Sequence, residues 1–240
     1  PYTTLFRSIY KMQQMFNFNN LNNINNLNNN NPSFPNNMNI NNFFNNLNNG
    51  LTIEEINNLK EIPLNERTYL YLGEDLNEKK NDNTIFENYA LPFSKEIIDE
   101  LKRSYCGFLN GQGGNIYIGI NEFGVVEGLN LDYKQRDTIK NELVNYSYDF
   151  FPKCRMDKIN VSFIEIKSIL DKNIIKNLYV IKINIIPGEP YYLYSLSSKE
   201  GYISILILNG QFKILTAEEI QKEILKRGEL LKQSFINEQK

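Results

Sequence analysis

The chain has 240 residues with 26 basic and 28 acidic side chains, a formal charge of −2, so no global positive field gathers a polyanion and any nucleic-acid contact has to be local. It contains no histidine and only two cysteines, Cys106 and Cys154, which excludes a Cys/His zinc centre and any Ser-His or Cys-His catalytic pair. Acid–base work is left to carboxylates, Lys and Tyr.

The sequence starts at Pro1 rather than Met, and PYTTLFRS is set aside from fold reasoning. Residues 16–50 read FNFNNLNNINNLNNNNPSFPNNMNINNFFNNLNNG, polar amides with isolated apolar residues and almost no charge. That is the makeup of a prion-like tract, and residues 1–50 are expected to form a disordered low-complexity arm. Residues 51–68 are expected to hold a short helix and a linker, because Thr52 and Glu55 stand at capping-box spacing before Ile53, Ile56 and Leu59.

Residues 69–232 are expected to be the folded domain, with 233–240 a tail. SKEIIDELKRSYCGFLN, opened by Ser94 as N-cap, places Ile97, Ile98, Leu101, Tyr105, Phe108 and Leu109 on one helical face. NIYIGI alternates like a strand, and VVEGL is expected to return as its hairpin partner beyond Gly124. YKQRDTIKNELVNYSYDF carries Ile139, Leu143, Tyr146 and Phe150 at helical spacing, and Pro152 closes it. INVSFIEIKSI and NLYVIKINIIPG read as strands, and GYISILIL and QFKIL flank Asn209-Gly210 as a hairpin. Thr216 and Glu219 form a capping box for a closing helix, AEEIQKEILKRGELLKQ. The order implies an α+β domain, a mostly antiparallel sheet packed with helices. No apolar run reaches the roughly twenty residues of a membrane span and no secretory signal opens the chain, so a cytoplasmic or nuclear location is expected, not a secreted one.

The glycine-rich run FLNGQGGNIYIGINEFGVVEGL (108–129) is not a phosphate cradle. A P-loop needs strand before helix and Lys directly after its last glycine; here the loop follows a helix, and Asn115 follows Gly114. A dinucleotide fingerprint fails as well, since Ile116 stands at the third glycine position. The run does closely resemble the central motif of the Schlafen AlbA-2 family: Phe108, Asn110, Gly113-Gly114, an apolar strand at 116–118, Gly119-Ile120-Asn121-Glu122, Gly124 and Glu127-Gly128-Leu129. ENYALPF (87–93), NIIPGEPYYLY (184–194) and the tyrosine strand, hairpin and last helix (201–224) extend the likeness over about 87–227.

The resemblance implies nucleic-acid binding, and in some members a metal-dependent endoribonuclease acting on tRNA and rRNA through three carboxylates. Carried over by position, those fall on Glu87, Pro92 and Glu122, so Glu87 and Glu122 are the candidate catalytic and metal-binding residues, with Mg²⁺ or Mn²⁺ the implied ion if cleavage survives. Proline ligates nothing, and Glu122 is a methylene longer than the family's Asp. Candidate nucleic-acid contacts are Lys95, Lys102 and Arg103 on the first helix, Lys134, Arg136 and Lys140 on the second, and Lys153 and Arg155 after it, interleaved with acids such as Asp132, Asp137, Glu142 and Asp157. Tyr146, Tyr148, Tyr191, Tyr192 and Tyr194 suit either base stacking or core packing. The expected function is an RNA-binding domain, for tRNA or other structured RNA, with weak or absent nuclease activity. The alternatives are an active endoribonuclease and a protein-interaction scaffold using the Asn-rich arm. The family's animal nucleases resemble two such units in tandem forming a U-shaped groove, and since one unit is legible here, the resemblance implies a homodimer that would complete it.

Overall fold

The structure, a computed structural model, describes residues 55, 58, 61–76, 81–198, 201–208 and 211–238. The Asn-rich arm and most of the helix expected after it lie outside the described residues. The chain divides into two compact units, residues 1–59 with 168–173, and residues 60–167 with 174–240. Within the first, Lys172 donates to both carboxylate oxygens of Glu55 at 2.9 and 3.1 Å.

The second unit is α+β. Its elements are β1 (Tyr69–Tyr71), β2 (Thr84–Glu87), α1 (Lys95–Asn110), β3 (Gly114–Ile118), β4 (Leu129–Asn130), α2 (Tyr133–Asn145), β5 (Phe150–Phe151), β6 (Ile159–Lys167), β7 (Ile174–Ile185), β8 (Ser195–Ser198), β9 (Gly201–Leu208), β10 (Gln211–Ile214) and α3 (Ala217–Glu238). Six strands form one sheet in the order β1-β6-β7-β3-β2, with β4 also on β7, and four form a second in the order β10-β9-β8-β5. The pairs β1–β6 and β2–β3 are parallel; the rest are antiparallel.

Both faces of the first sheet are buried, and strand alternation divides its side chains between two cores. Ile116 and Ile118 of β3, with Ile181, Ile183 and Ile185 of β7, face one core, which also takes Leu101, Tyr105, Phe108 and Leu109 from α1, Leu143 from α2, and Tyr194, Leu196 and Ile205 from the second sheet. Tyr117, Phe86 and Val180 face the other, with Leu64, Leu70 and Ile166. α1 therefore buries the face its spacing marks out, under an N-cap in which Ser94 accepts from the Ile97 N–H at 3.4 Å. α2 starts on a capping box between Asp132 and Gln135, each side chain bonded to the other's backbone N–H at 2.8 Å.

The expected β3 hairpin is corrected. VVEGL makes two isolated bridges, Ile120 to Val126 and Asp75 to Val125, and the chain then joins β7 as β4. A strand has two edges, and those of β3 are occupied by β2 and β7. The N–H groups of Glu127 and Gly128 instead both donate to the Gly119 carbonyl, at 2.9 and 2.8 Å, closing a compact loop. The glycine pair behaves as packing chemistry demands: Gly113 has φ +76°, where a Cβ would stand 2.5 Å from the Ile185 carbonyl, and a Cβ on Gly114 would run into the Phe108 ring. α3 continues to Glu238, past the expected end at Gln233, because no glycine or proline follows to stop it.

Asn110, buried at the end of α1, holds the second sheet. Its amide donates to the carbonyls of Tyr194 (2.8 Å) and Ile205 (3.0 Å) and accepts from the Tyr194 N–H (2.7 Å). The carbonyl of Asn110 accepts from the buried Arg227 of α3 at 2.7 Å. Asn110→Ala leaves those partners unsatisfied, so urea denaturation of the full chain is expected to show a loss of about 3 kcal/mol. Both thiols are buried, and burial pushes Cys106 up to about 12 and Cys154 up to about 11. Neither is expected to react with a disulfide reagent at pH 8 in the native protein, and both should react in denaturant.

Candidate nucleic-acid site

Glu87 ends β2 opposite Ile118 of β3, and its carbonyl accepts from the Gly119 N–H at 2.8 Å. Because those strands are parallel, Glu87 and the loop carrying Glu122 emerge at the same end of the sheet. Glu87 is half-buried and Glu122 is exposed in the turn. Asn121, at the position of the family's first Asp, shapes that turn, its side-chain oxygen accepting from the N–H groups of Phe123 and Val125, both at 3.0 Å.

The residue spanning the two segments is Glu127, a member of the family motif to which the sequence assigns no role. It accepts from Asn88 at 2.6 Å and from Asn121 at 2.9 Å, so its carboxylate ties the neighbour of Glu87 to the neighbour of Glu122. Nothing in VVEGL marks that tie, since its partners are brought together only when β2 lies beside β3. Tyr89 is a second such residue: burial first, then the charges of Glu87 and Glu100 beside it, push its phenol well above the ordinary range. Pro92 is exposed between them in the chain. Among the described residues, no three carboxylates or thiols come together as ion ligands. With a proline at one of the three positions, the donor set present does not fit a three-carboxylate metal clamp.

The basic residues fall into different environments. Lys95 lies exposed at the start of α1. Lys102 pairs with Asp149 at 2.7 Å and lies 5.0 Å from the centre of the Tyr146 ring. Arg103 shares a shallow recess with Glu96, Asp99, Glu100 and Phe212, where acids outnumber it. Arg155 is bidentate to Asp157, at 2.7 and 3.1 Å. Lys134 and Lys140 are exposed on α2, and Lys153 is exposed beyond β5. Arg136 enters an aromatic setting without an ion pair among the described residues, its guanidinium carbon 4.5 Å from the centre of the Tyr179 ring. Of the tyrosines, Tyr146 and Tyr194 are core residues, whereas Tyr148, Tyr191 and Tyr192 are exposed.

The second unit is an α+β domain, and the family whose motif it carries suggests a nucleic-acid-related function. The family described as Schlafen, AlbA_2 matches residues 74–205, more than half of the chain, and the chain belongs to that family. Among solved structures, the DIP2311 protein from Corynebacterium diphtheriae is similar at 15% identity and a TM-score of 0.35 over 57% of this chain. The chain spans 26% of that protein's length. No helix among the described residues is long and apolar enough to cross a membrane.

Glu127→Ala removes the tie between the two segments. Amide hydrogen exchange over residues 119–128 is expected to rise several-fold while that of α1 stays unchanged, and global stability should fall by under about 1 kcal/mol.

Proposed function

We propose that this chain is an RNA-binding Schlafen AlbA_2 domain, for tRNA or other structured RNA, with weak or no metal-dependent cleavage. Membership of the family supports the binding, and one observation carries the second half: the three positions that the family uses for carboxylates hold Glu87, Pro92 and Glu122. Two anionic side chains offer less charge to a divalent ion than three, and the hydrocarbon side chain of proline offers none.

Binding on this reading is local and electrostatic, through the exposed Lys95, Lys134, Lys140 and Lys153 in a chain of formal charge −2. The cytoplasm or nucleus would supply such a partner. A second copy would supply the other wall of a groove. α3 leaves Ile224, Leu225 and Phe235 between 53% and 64% exposed, and a size measurement across concentration, with Leu225→Lys as control, tests whether that face self-associates.

Titration of labelled tRNA at rising salt tests the central claim. With about four phosphates neutralised, affinity should fall about a hundredfold between 50 and 200 mM salt. Incubation of the same tRNA with Mn²⁺ or Mg²⁺ should give no more product than a Glu87→Ala variant. Salt-independent binding overturns the RNA reading; metal-dependent cleavage abolished by Glu87→Ala replaces it with the endoribonuclease.

A further inference from the structure

Among the described candidate basic residues, Arg136 is the one whose charge lies against three rings and in no ion pair. It leaves α2 and lies across the first sheet, with its guanidinium carbon 4.5 Å from the centre of the Tyr179 ring and 5.9 Å from the centres of both Phe163 and Tyr133. Phe163 and Tyr179 meet edge to face, at 6.3 Å and 80°, and form a stiff floor beneath it. Its Nε is buried and meets no acceptor among the described residues. The acids near it are otherwise placed. Asp132 caps α2 by accepting from Gln135, Asp137 is exposed on the helix, and Glu165, opposite Tyr179 in the β6–β7 ladder, makes no salt bridge with it.

This differs from an arginine used as fold cement. Arg227 in the same unit is buried and satisfied, donating to the carbonyls of Pro190, Tyr192 and Asn110 and to Glu223. Arg155 is closed by Asp157. The guanidinium of Arg136 lies against rings on a half-buried side chain and meets no acceptor among the described residues, which leaves its N–H fork to be completed from solvent. A planar fork matches two oxygens of a phosphate, and holding it against aromatic faces removes the side-chain entropy that such a contact otherwise costs. Beside it stands Tyr133, 73% exposed at the first turn of α2, a ring face wide enough for one nucleobase.

The geometry points to a nucleotide subsite on α2, in which Arg136 holds a phosphodiester and Tyr133 stacks on an adjacent unpaired base. It rests on the nucleic-acid reading above and narrows it to a strand with at least one unstacked base. The flanking Lys134 and Lys140 add charge without orientation. Nothing in the acid cluster around Glu87 takes part, so the subsite acts whether or not the chain cleaves.

The test uses the full chain and fluorescence anisotropy with a short labelled oligouridine and with the same strand annealed into a duplex. Tyr133→Leu is expected to weaken single-strand binding about tenfold and duplex binding less than twofold. Arg136→Lys, which keeps the charge and loses the fork, should weaken both by about fivefold or more, whereas Lys134→Gln should cost about twofold. Melting temperatures within a few degrees of wild type show that each variant is folded, and Tyr133→Leu, at an exposed position, serves if Arg136→Lys is not. Wild-type affinity for oligouridine in both Tyr133→Leu and Arg136→Lys overturns the subsite alone. Equal losses on single strand and duplex in Tyr133→Leu overturn the stacking role. Absence of any binding by the wild-type chain overturns both the subsite and the proposed function.

Discussion

Asn110 sits where three parts of the second unit meet: the end of α1, the strands β8 and β9, and α3. Its side-chain amide bonds both the N–H and the carbonyl of Tyr194 and reaches the Ile205 carbonyl, while its own carbonyl receives Arg227. A buried amide with those partners has one acceptable orientation, and a buried guanidinium is tolerable only where carbonyls and a carboxylate surround it. Arg227 finds them in Pro190, Tyr192, Asn110 and Glu223, so the final helix is docked by the same network that ends the first. The loop between Asn110 and β3 has to pass this junction closely, which is why Gly113 and Gly114 carry no side chain: Ile185, Pro187 and Phe108 occupy that space. Gly188 meets the same restriction from Tyr194 and the Leu109 carbonyl.

That junction sets where the chemistry lies. With α1 fixed at its C-terminal end, its N-terminal half faces the end of β2, and Tyr89 comes between Glu87 and Glu100. The loop after β3 is brought back by Glu127, which gathers Asn88 and Asn121. The acids are thus organised by hydrogen bonds to Tyr and Asn rather than by mutual convergence. Such an arrangement stabilises the strand ends at small electrostatic cost, and it differs from a clamp in which carboxylates crowd together and need a cation between them.

The positive charge follows a different logic. Lys102 and Arg155 are closed by Asp149 and Asp157, and Arg103 lies among acids, which leaves Lys95 on α1 and Lys153 after β5 as the exposed basic residues of those segments that these acids do not compensate. Compensated pairs contribute little at long range in physiological salt. Arg136 differs because its neighbours are rings, which attract a cation without neutralising it. On the proposed reading the side of the unit carrying α2 meets the nucleic acid.

Much of this architecture is written in local pattern. The Ser94 cap, the apolar face of α1, the β6 and β7 strands and the β9–β10 pair follow from spacing and propensity, which act between residues a few positions apart. The family motif was likewise legible, since it is a fixed order of glycines, Asn110 and an apolar strand. What the text of the chain leaves open are the long-range choices. It could not show that β3 already has two neighbours, which sends VVEGL to β7; nor that Glu127 would meet Asn88, 39 residues away in the chain. Nor does a count of Lys and Arg separate the paired Arg155 from Arg136 on its aromatic floor, because pairing depends on which distant side chains share a face. Sequence determined the elements and the family, where short-range sterics and periodic burial decide; tertiary structure alone decided the edges, the partners and the accessible charge, where competition between residues far apart in the chain is settled by packing.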